Sequence, residues 1–316
     1  MNKPPRSKKA DAVIDRFYVA SIDGSPLTAV RELVATLPKA LANIGQAFDH
    51  NLSAIASTMG IPVTLAGAAA HGRLWTQVLA AERIRALDDE DEGSSESEAR
   101  TLQRAKEHIE RHLASKDGVQ RIGHDACDFL LAAYEDPNLA RATMELHGQG
   151  IVLLWSAFEV LARDLFVFCL NSKPELAVKI LESETAKRLF QFKGLDVNVL
   201  AQYHFDVSRS MGNILIQFQD LGNLVPIKNV FLALFPDDLT LRRVLSDRDL
   251  WLLNQRRHLI VHHRGVVDSK YLESSQETLP IGSQLVIATM DLERSLDIVC
   301  STGSALIKAA AAQFSG

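Results

Sequence analysis

The chain is poor in cysteine, and the cysteines that it has are not paired. Cys127, Cys169 and Cys300 lie far apart in apolar, helix-like surroundings, and none belongs to a CxxC pair. An odd number of isolated thiols is typical of reduced, buried cysteines and not of a disulfide framework. We therefore expect a protein of a reducing compartment, the cytoplasm.

Long hydrophobic runs are also absent. The longest uninterrupted apolar runs, such as residues 151–155, are far too short to cross a bilayer. The basic N-terminus, residues 1–9, is not followed by the apolar segment of a secretory signal. With 47% apolar and 23% charged residues, the composition is that of a globular protein with a hydrophobic core. These patterns predict a soluble cytoplasmic protein without a membrane partner.

The chain lacks an excess of positive charge and the common enzyme motifs. Its net charge of −5 excludes a global positive field, so that an RNA partner would need a local basic patch. The sequence contains no P-loop, no GxGxxG fingerprint and no GxSxG elbow. Chemistry based on a nucleotide cofactor is therefore not expected, and we predict no cofactor.

Helical periodicity, in contrast, is abundant. Strand-like alternation is scarce, and residues 16–22 are the single candidate strand. A very long helix is predicted from Asn138 to about Leu170, with an apolar stripe formed by Ile151, Leu154, Phe158, Leu161 and Leu165. Further helices are predicted from Thr28 onward and over residues 66–87, 99–116, 120–134, 174–192, 205–220, 227–235, 247–263 and 288–313. The fold class that follows is all-α.

An acidic run interrupts this pattern at residues 88–98. Its sequence, DDEDEGSSESE, holds seven carboxylates and no apolar residue. A run of like charge with nothing to bury is typical of a mobile, solvated connection. We therefore predict a helical N-terminal region, residues 1–135, that contains this linker, followed by a helical domain over residues 138–313.

The densest chemistry lies in residues 256–265, RRHLIVHHRG, which hold three arginines and three histidines. Arginine clamps phosphate oxygens through its planar donor fork, and histidine exchanges protons near neutral pH. The segment ends a predicted helix that Asp247 or Ser246 caps and Arg264-Gly265 closes. Positions four apart share a helix face, so Trp251, Gln255, His258 and His262 line one stripe.

Two other interpretations of this stripe were weighed. Basic residues at a helix C-terminus complement the helix dipole, but this explains one or two cations and not the whole cluster. Two histidines four apart can chelate zinc, yet no nearby cysteine and no HExxH glutamate completes a ligand set. His108 and His112 share the spacing on a strongly polar helix, where a solvated charged face is expected. We therefore predict no metal site.

The segment 257–262, RHLIVH, resembles the RxxxxH motif of the HEPN superfamily (higher eukaryotes and prokaryotes nucleotide-binding). Residues 264–272, RGVVDSKYL, look like the tail that follows this motif in some bacterial members, and residues 155–161 resemble their first long helix. The resemblance covers residues 139–312. It departs from the family at His258, where asparagine is most frequent, and the adjacent His263 gives the motif a second candidate histidine.

The resemblance implies a C-terminal HEPN-like helical bundle that acts as a metal-independent endoribonuclease in a homodimer. In that case His262 is the general acid or base, Arg257 holds the phosphate, and His258 orients the phosphate or the His262 ring. Glu159 is expected to fix a histidine tautomer or to position Arg257, with a purely structural ion pair to an arginine as the equal alternative.

The remaining cationic and aromatic residues are expected to bind substrate: Arg256, Arg264, His263 and Trp251. For Trp251 the alternative is packing against its copy in the dimer. The resemblance further implies an RNA substrate, a role in a toxin–antitoxin or anti-phage system, and an antitoxin or another defence component as partner. The alternative is a non-catalytic HEPN-type module that binds RNA or a nucleotide, or that mediates dimerisation.

Overall fold

The computed structural model describes residues 8–19, 26–87, 95–190 and 197–314. Within these ranges the regular elements are helices, and β-pairing is limited to one isolated antiparallel bridge between Val266 and Gln284. The all-α prediction is confirmed. The helices are α1 Lys8–Ile14, α2 Pro26–Ala35, α3 Lys39–Met59, α4 Ile61–Ala86, α5 Ser95–Ala114, α6 Lys116–Tyr134, α7 Pro137–Ser172, α8 Ala177–Glu182, α9 Glu184–Phe190, α10 Val197–Gln202, α11 Met211–Leu215, α12 Leu224–Leu234, α13 Leu239–Val244, α14 Arg248–His263, α15 Ser269–Ser275 and α16 Thr289–Ala312.

The long predicted helices are present with ends shifted by a few residues, whereas short ones were missed. Helices α1, α13 and α15 have seven residues or fewer, too few for a periodic apolar pattern to stand out. The stretch 205–220 contains only the short helix α11. Residues 16–19 of the candidate strand make no β-pairing. Residues 20–22 of that strand lie outside the described ranges.

Packing divides the chain into two compact units, and the division differs from the predicted one. The first unit comprises residues 1–20 and 57–146, and the second comprises residues 21–56 and 147–316. Residues 21–56 therefore group with the C-terminal helices, because α2 packs on α16 and Phe48 of α3 fits against Gly303 of α16. The division by packing falls inside α7, between residues 146 and 147, and not at the predicted boundary at residues 135–138.

The first unit is built on α4, α5 and α6, with α1 packed on α6. One apolar cluster joins Val13, Phe17, Ala66 and Leu130, and a second joins Val78, Ala105 and Ile109. Of the acidic run, residues 88–94 lie outside the described ranges. Residues 95–98 form the first turn of α5, where Glu96 and Glu98 complement the positive end of the helix dipole, so the predicted linker is too long.

The second unit surrounds the second half of α7. The predicted stripe is confirmed, because Ile151, Leu154, Phe158, Leu161 and Leu165 are all at most 2% exposed. Trp155 is fully buried beside them and donates its indole N–H to the carbonyl oxygen of Gly222 over 3.1 Å.

Helices α14 and α16 pack together in this unit. At Gly303 of α16 an added Cβ would lie 2.4 Å from the Phe48 ring and 3.0 Å from Leu161. The absence of a side chain at this point lets α3 and α7 approach α16 closely.

No single described helix is both long and apolar enough to span a membrane; α3 and α4, interrupted at Gly60, meet the length and composition test only when taken together.

Candidate functional site

The candidate site lies on the last turns of α14, whose two ends follow the sequence prediction. Asp247 caps the start by accepting a hydrogen bond from the Asp249 amide over 2.8 Å. At the other end Arg264 adopts a left-handed conformation with φ of 54°, and the Gly265 amide donates to the Leu259 carbonyl oxygen over 3.0 Å. The last turn, with its histidines, is thus held in place by backbone hydrogen bonds.

Arg256 is placed inside the protein and not on the substrate face. It is 8% exposed. Its Nη2 lies 2.8 Å from Oε1 of Glu277 and its Nη1 lies 2.9 Å from Oδ1 of Asp291. The two carboxylates raise its pKa further, against the effect of burial. This placement does not favour the substrate-binding role predicted for Arg256, because Glu277 and Asp291 already contact both ends of its guanidinium.

Arg257 points to a different surface, since neighbouring helix residues are turned by about 100°. Its Nη2 lies 3.9 Å from Oε2 of Glu159 on α7, so the predicted proximity of these two residues is present. Its buried Nε has no hydrogen-bond partner among the described residues. Burial raises the pKa of Glu159, and the Arg257 charge opposes this shift. At 3.9 Å the pair is loose, which leaves the guanidinium able to turn toward another anion.

Three imidazoles stand together beyond Arg257. The His258 ring lies 4.6 Å from the His262 ring and 5.9 Å from the His263 ring, measured between centroids. Partial burial and then the neighbouring positive groups, His262 foremost, lower the pKa of His258. The lowered pKa favours the neutral form of His258 at pH 7, which suits a hydrogen-bonding neighbour of His262 better than a clamp for phosphate.

His262 and His263 lie in the exposed last turn of α14. Nδ1 of His263 is 3.5 Å from Oδ2 of Asp268, whereas the ring of His262 faces His258. This difference agrees with the choice of His262 over His263 as the motif histidine: His263 already has a carboxylate beside it.

Trp251 lies two helical turns before His258, and Arg264 directly follows His263. The Trp251 indole N–H donates to the Ser274 carbonyl oxygen over 3.0 Å, which ties one edge of the ring to α15. The substrate-binding role of Trp251 stays a prediction. Arg264 is exposed at the end of the helix, and its carbonyl oxygen accepts from Nε2 of Gln284 over 2.8 Å. Its guanidinium charge is at the surface, as predicted.

A cavity of about 180 Å³ adjoins the imidazole cluster, between α14, α15 and the start of α12. We call it the α14–α15 cavity; its wall includes Asn223, Asn254, Gln255, His258, Lys270 and Ser274. Sequence reasoning missed Asn254 and Lys270. The signal for Asn254 was present, because it lies four residues before His258 on the same stripe.

Among the described residues, no group of three or more histidine, cysteine, aspartate or glutamate side chains is arranged to hold a metal ion. Comparison with protein-family models, with curated proteins and with solved structures finds no significant match to this chain. The resemblance to the HEPN superfamily thus rests on the motif residues themselves and stays a hypothesis.

Proposed function

We propose that this protein is a metal-independent endoribonuclease whose site consists of Arg257, His258 and His262 on the last turns of α14. One observation carries the proposal. Arg257, whose ion pair among the described residues is the 3.9 Å contact with Glu159, is followed on the helix by two imidazoles 4.6 Å apart on an accessible surface. A purely structural helix end gives no reason for this combination of a phosphate-binding cation and proton-exchanging groups.

The chemistry uses a nucleophile that RNA carries itself. The 2′-hydroxyl attacks the adjacent phosphorus, a 2′-O–P bond forms and the P–O5′ bond breaks. His262 takes the hydroxyl proton or gives a proton to the leaving 5′-oxygen, a role typically worth about 10²–10⁴-fold in rate. Arg257 stabilises the charge that grows on the phosphate oxygens. Neutral His258 orients the His262 ring, and Glu159 sets the position of Arg257.

A homodimer completes this site in the proposal. One imidazole cannot act as base and acid in the same step, and a second copy of α14 supplies the second group. Pairing also doubles the surface charge from Arg257, Arg264 and Lys270, which an overall net charge of −5 per chain requires for RNA binding. Arg256 adds nothing to this charge because two carboxylates neutralise it.

The biological setting follows from the motif resemblance alone. We propose a cytoplasmic toxin or anti-phage effector, with RNA as substrate and an antitoxin or another defence component as partner.

The decisive experiment incubates total RNA with the wild type, His262→Ala and Arg257→Ala, each with and without a chelator. Matched controls are His124→Ala and Arg121→Ala, which remove the same side-chain types from the exposed surface of α6. We expect both site variants to lose cleavage by about 10²-fold or more, whereas the controls and the chelator have no effect. The cut ends should carry a 2′,3′-cyclic phosphate and a 5′-hydroxyl.

Two outcomes would contradict the proposal. Cleavage by His262→Ala at the parental rate would remove the histidine from the mechanism, and cleavage of an all-deoxy substrate would remove the 2′-hydroxyl. If the wild type binds RNA tightly without cutting it, the non-catalytic binding module is the correct alternative.

A further inference from the structure

The wall of the α14–α15 cavity contains a polar side chain that the protein itself does not satisfy. Asn254 is 5% exposed, and its Nδ2 has no hydrogen-bond partner among the described residues. A buried donor without a partner is unfavourable, and most such groups in proteins are paired. An amide kept in this state at the edge of a cavity therefore indicates a ligand that supplies the acceptor.

The groups around Asn254 favour a neutral, hydrogen-bonding ligand over a phosphate. Gln255 contributes an amide whose Oε1 accepts from the Ser274 hydroxyl over 2.9 Å, and Asn223 contributes another. Asp268 and Lys270, which also line the cavity, carry opposite charges, so these two residues give it no net preference for an anion. Amides next to an imidazole present the mixture of donors and acceptors that the edges of nucleobases require.

The volume of the cavity sets the next limit. A volume of about 180 Å³ holds roughly six water molecules and is smaller than the usual sites for drug-sized ligands. Tyr271 forms part of the wall, and its hydroxyl is bonded to Glu277, so that its buried ring is fixed. A cavity of this volume accommodates a single base better than a whole nucleotide.

The cavity also has a definite position relative to the proposed cleavage site. Asn254, His258 and His262 follow one another at intervals of four residues along one stripe of α14. From Asn254 to His262 the distance along the helix axis is about 12 Å, from a rise of 1.5 Å per residue. A strand with its phosphate at Arg257 and His262 can thus reach the cavity with a neighbouring base.

We propose that the α14–α15 cavity binds one unpaired base of the RNA strand and that Asn254 gives the site a preference among the four bases. This inference rests on the proposed function, since it takes RNA to be the ligand. Asn254 acts as a specificity residue: its free N–H donates to an acceptor atom on the edge of the bound base.

The test measures binding of the 3′-monophosphates of adenosine, guanosine, cytidine and uridine to the wild-type protein by calorimetry. Inorganic phosphate is the reference for binding by charge alone. We expect one nucleotide to bind at least about fivefold more tightly than the weakest, the lower end of the discrimination that amide contacts to bases give. Asn254→Leu should bring the four affinities together.

Two further variants separate recognition from folding. Thr302→Val removes another buried polar atom without a partner among the described residues; Thr302 does not line the cavity, so this variant should keep the wild-type preference. If Asn254→Leu does not fold, Asn254→Asp keeps the shape while it removes the free N–H, and it should abolish the preference in the same way.

The inference is overturned if the four nucleotides bind equally to the wild type, if Asn254→Leu keeps the preference, or if inorganic phosphate binds as tightly as the best nucleotide. These results are distinct from failure of the nuclease proposal. If Asn254→Leu cleaves RNA at the same bases as the wild type, only the proposal of a base-binding cavity is refuted. If binding is base-selective and depends on Asn254 but RNA is not cleaved, only the nuclease proposal is refuted.

Discussion

The neighbours Arg256 and Arg257 are expected to respond to the same substitution in opposite ways. Arg256→Met leaves Glu277 and Asp291, whose side chains are each 21% exposed, without the cation that both now contact. Removal of one partner from such a buried arrangement costs about 3–5 kcal/mol. Arg257→Met removes one ion pair at 3.9 Å between side chains that are 21% and 29% exposed, which contributes about 1 kcal/mol or less.

Urea unfolding followed by tryptophan fluorescence can resolve this difference. The chain has three tryptophans. Trp75 lies in the first unit and Trp155 and Trp251 lie in the second, so a Trp75→Phe background reports the second unit alone. With a slope of about 2 kcal/mol per molar urea, Arg256→Met should lower the midpoint by roughly 1.5–2.5 M and Arg257→Met by about 0.5 M or less.

The activities should follow the reverse order. We expect Arg257→Met to lose RNA cleavage while it stays folded, and Arg256→Met to keep its cleavage rate at temperatures and urea concentrations where it is folded. Equal midpoint shifts for the two variants would refute the assignment of Arg256 to the core. A folded Arg256→Met protein that does not cleave RNA would support the substrate-binding role that the sequence predicts for Arg256.

Three further predictions concern stability. Arg264→Gly should raise the free energy of unfolding by about 1 kcal/mol, because glycine adopts the left-handed cap position without strain. The same variant should weaken RNA binding. A lower free energy of unfolding would contradict the claim that Arg264 is strained at this position. Burial lowers the pKa of His147, whose Nδ1–H donates to the Ile287 carbonyl oxygen over 3.0 Å, and also the pKa of His258. The unfolded chain then binds more protons, so stability should fall as pH drops below about 6.5, and His147→Asn should reduce that slope in urea titrations at pH 5.5 and 7.5. Thr302→Val should raise the free energy of unfolding by about 1–3 kcal/mol. An unchanged urea midpoint would mean that the Thr302 hydroxyl has a hydrogen-bond partner.

The long helices and their apolar faces were predictable because periodicity reports burial directly. The stripe from Ile151 to Leu165 and the ends of α14 at Asp247 and Gly265 follow from local rules of spacing and capping. The grouping of residues 21–56 with the C-terminal helices was not predictable, since it depends on the contact of Phe48 with Gly303, which no local pattern encodes.

The positions of the site residues along one stripe of α14 were predictable from the sequence, but the residues that they contact were not. Spacing alone places His258 beside His262 and both beyond Asn254. Whether Arg256 or Arg257 faces the core depends on Glu277, in the irregular stretch after α15, and on Asp291, in the first turn of α16. The sequence shows two adjacent cations, and only the fold shows that one of them is neutralised.

The first unit interrupts the second within the chain, and this order has a consequence for synthesis. Phe48 leaves the ribosome long before Gly303, the residue against which it packs and which follows 255 positions later in the chain. At translation rates of about 5–20 residues per second, helices α2 and α3 wait on the order of ten to fifty seconds for their partner. During that interval the core that holds Leu41, Phe48 and Leu52, all at most 2% exposed in the finished fold, still lacks α16. The nascent α2 and α3 therefore expose apolar side chains that chaperones can protect, and a fragment starting at residue 138 would lack part of its own core.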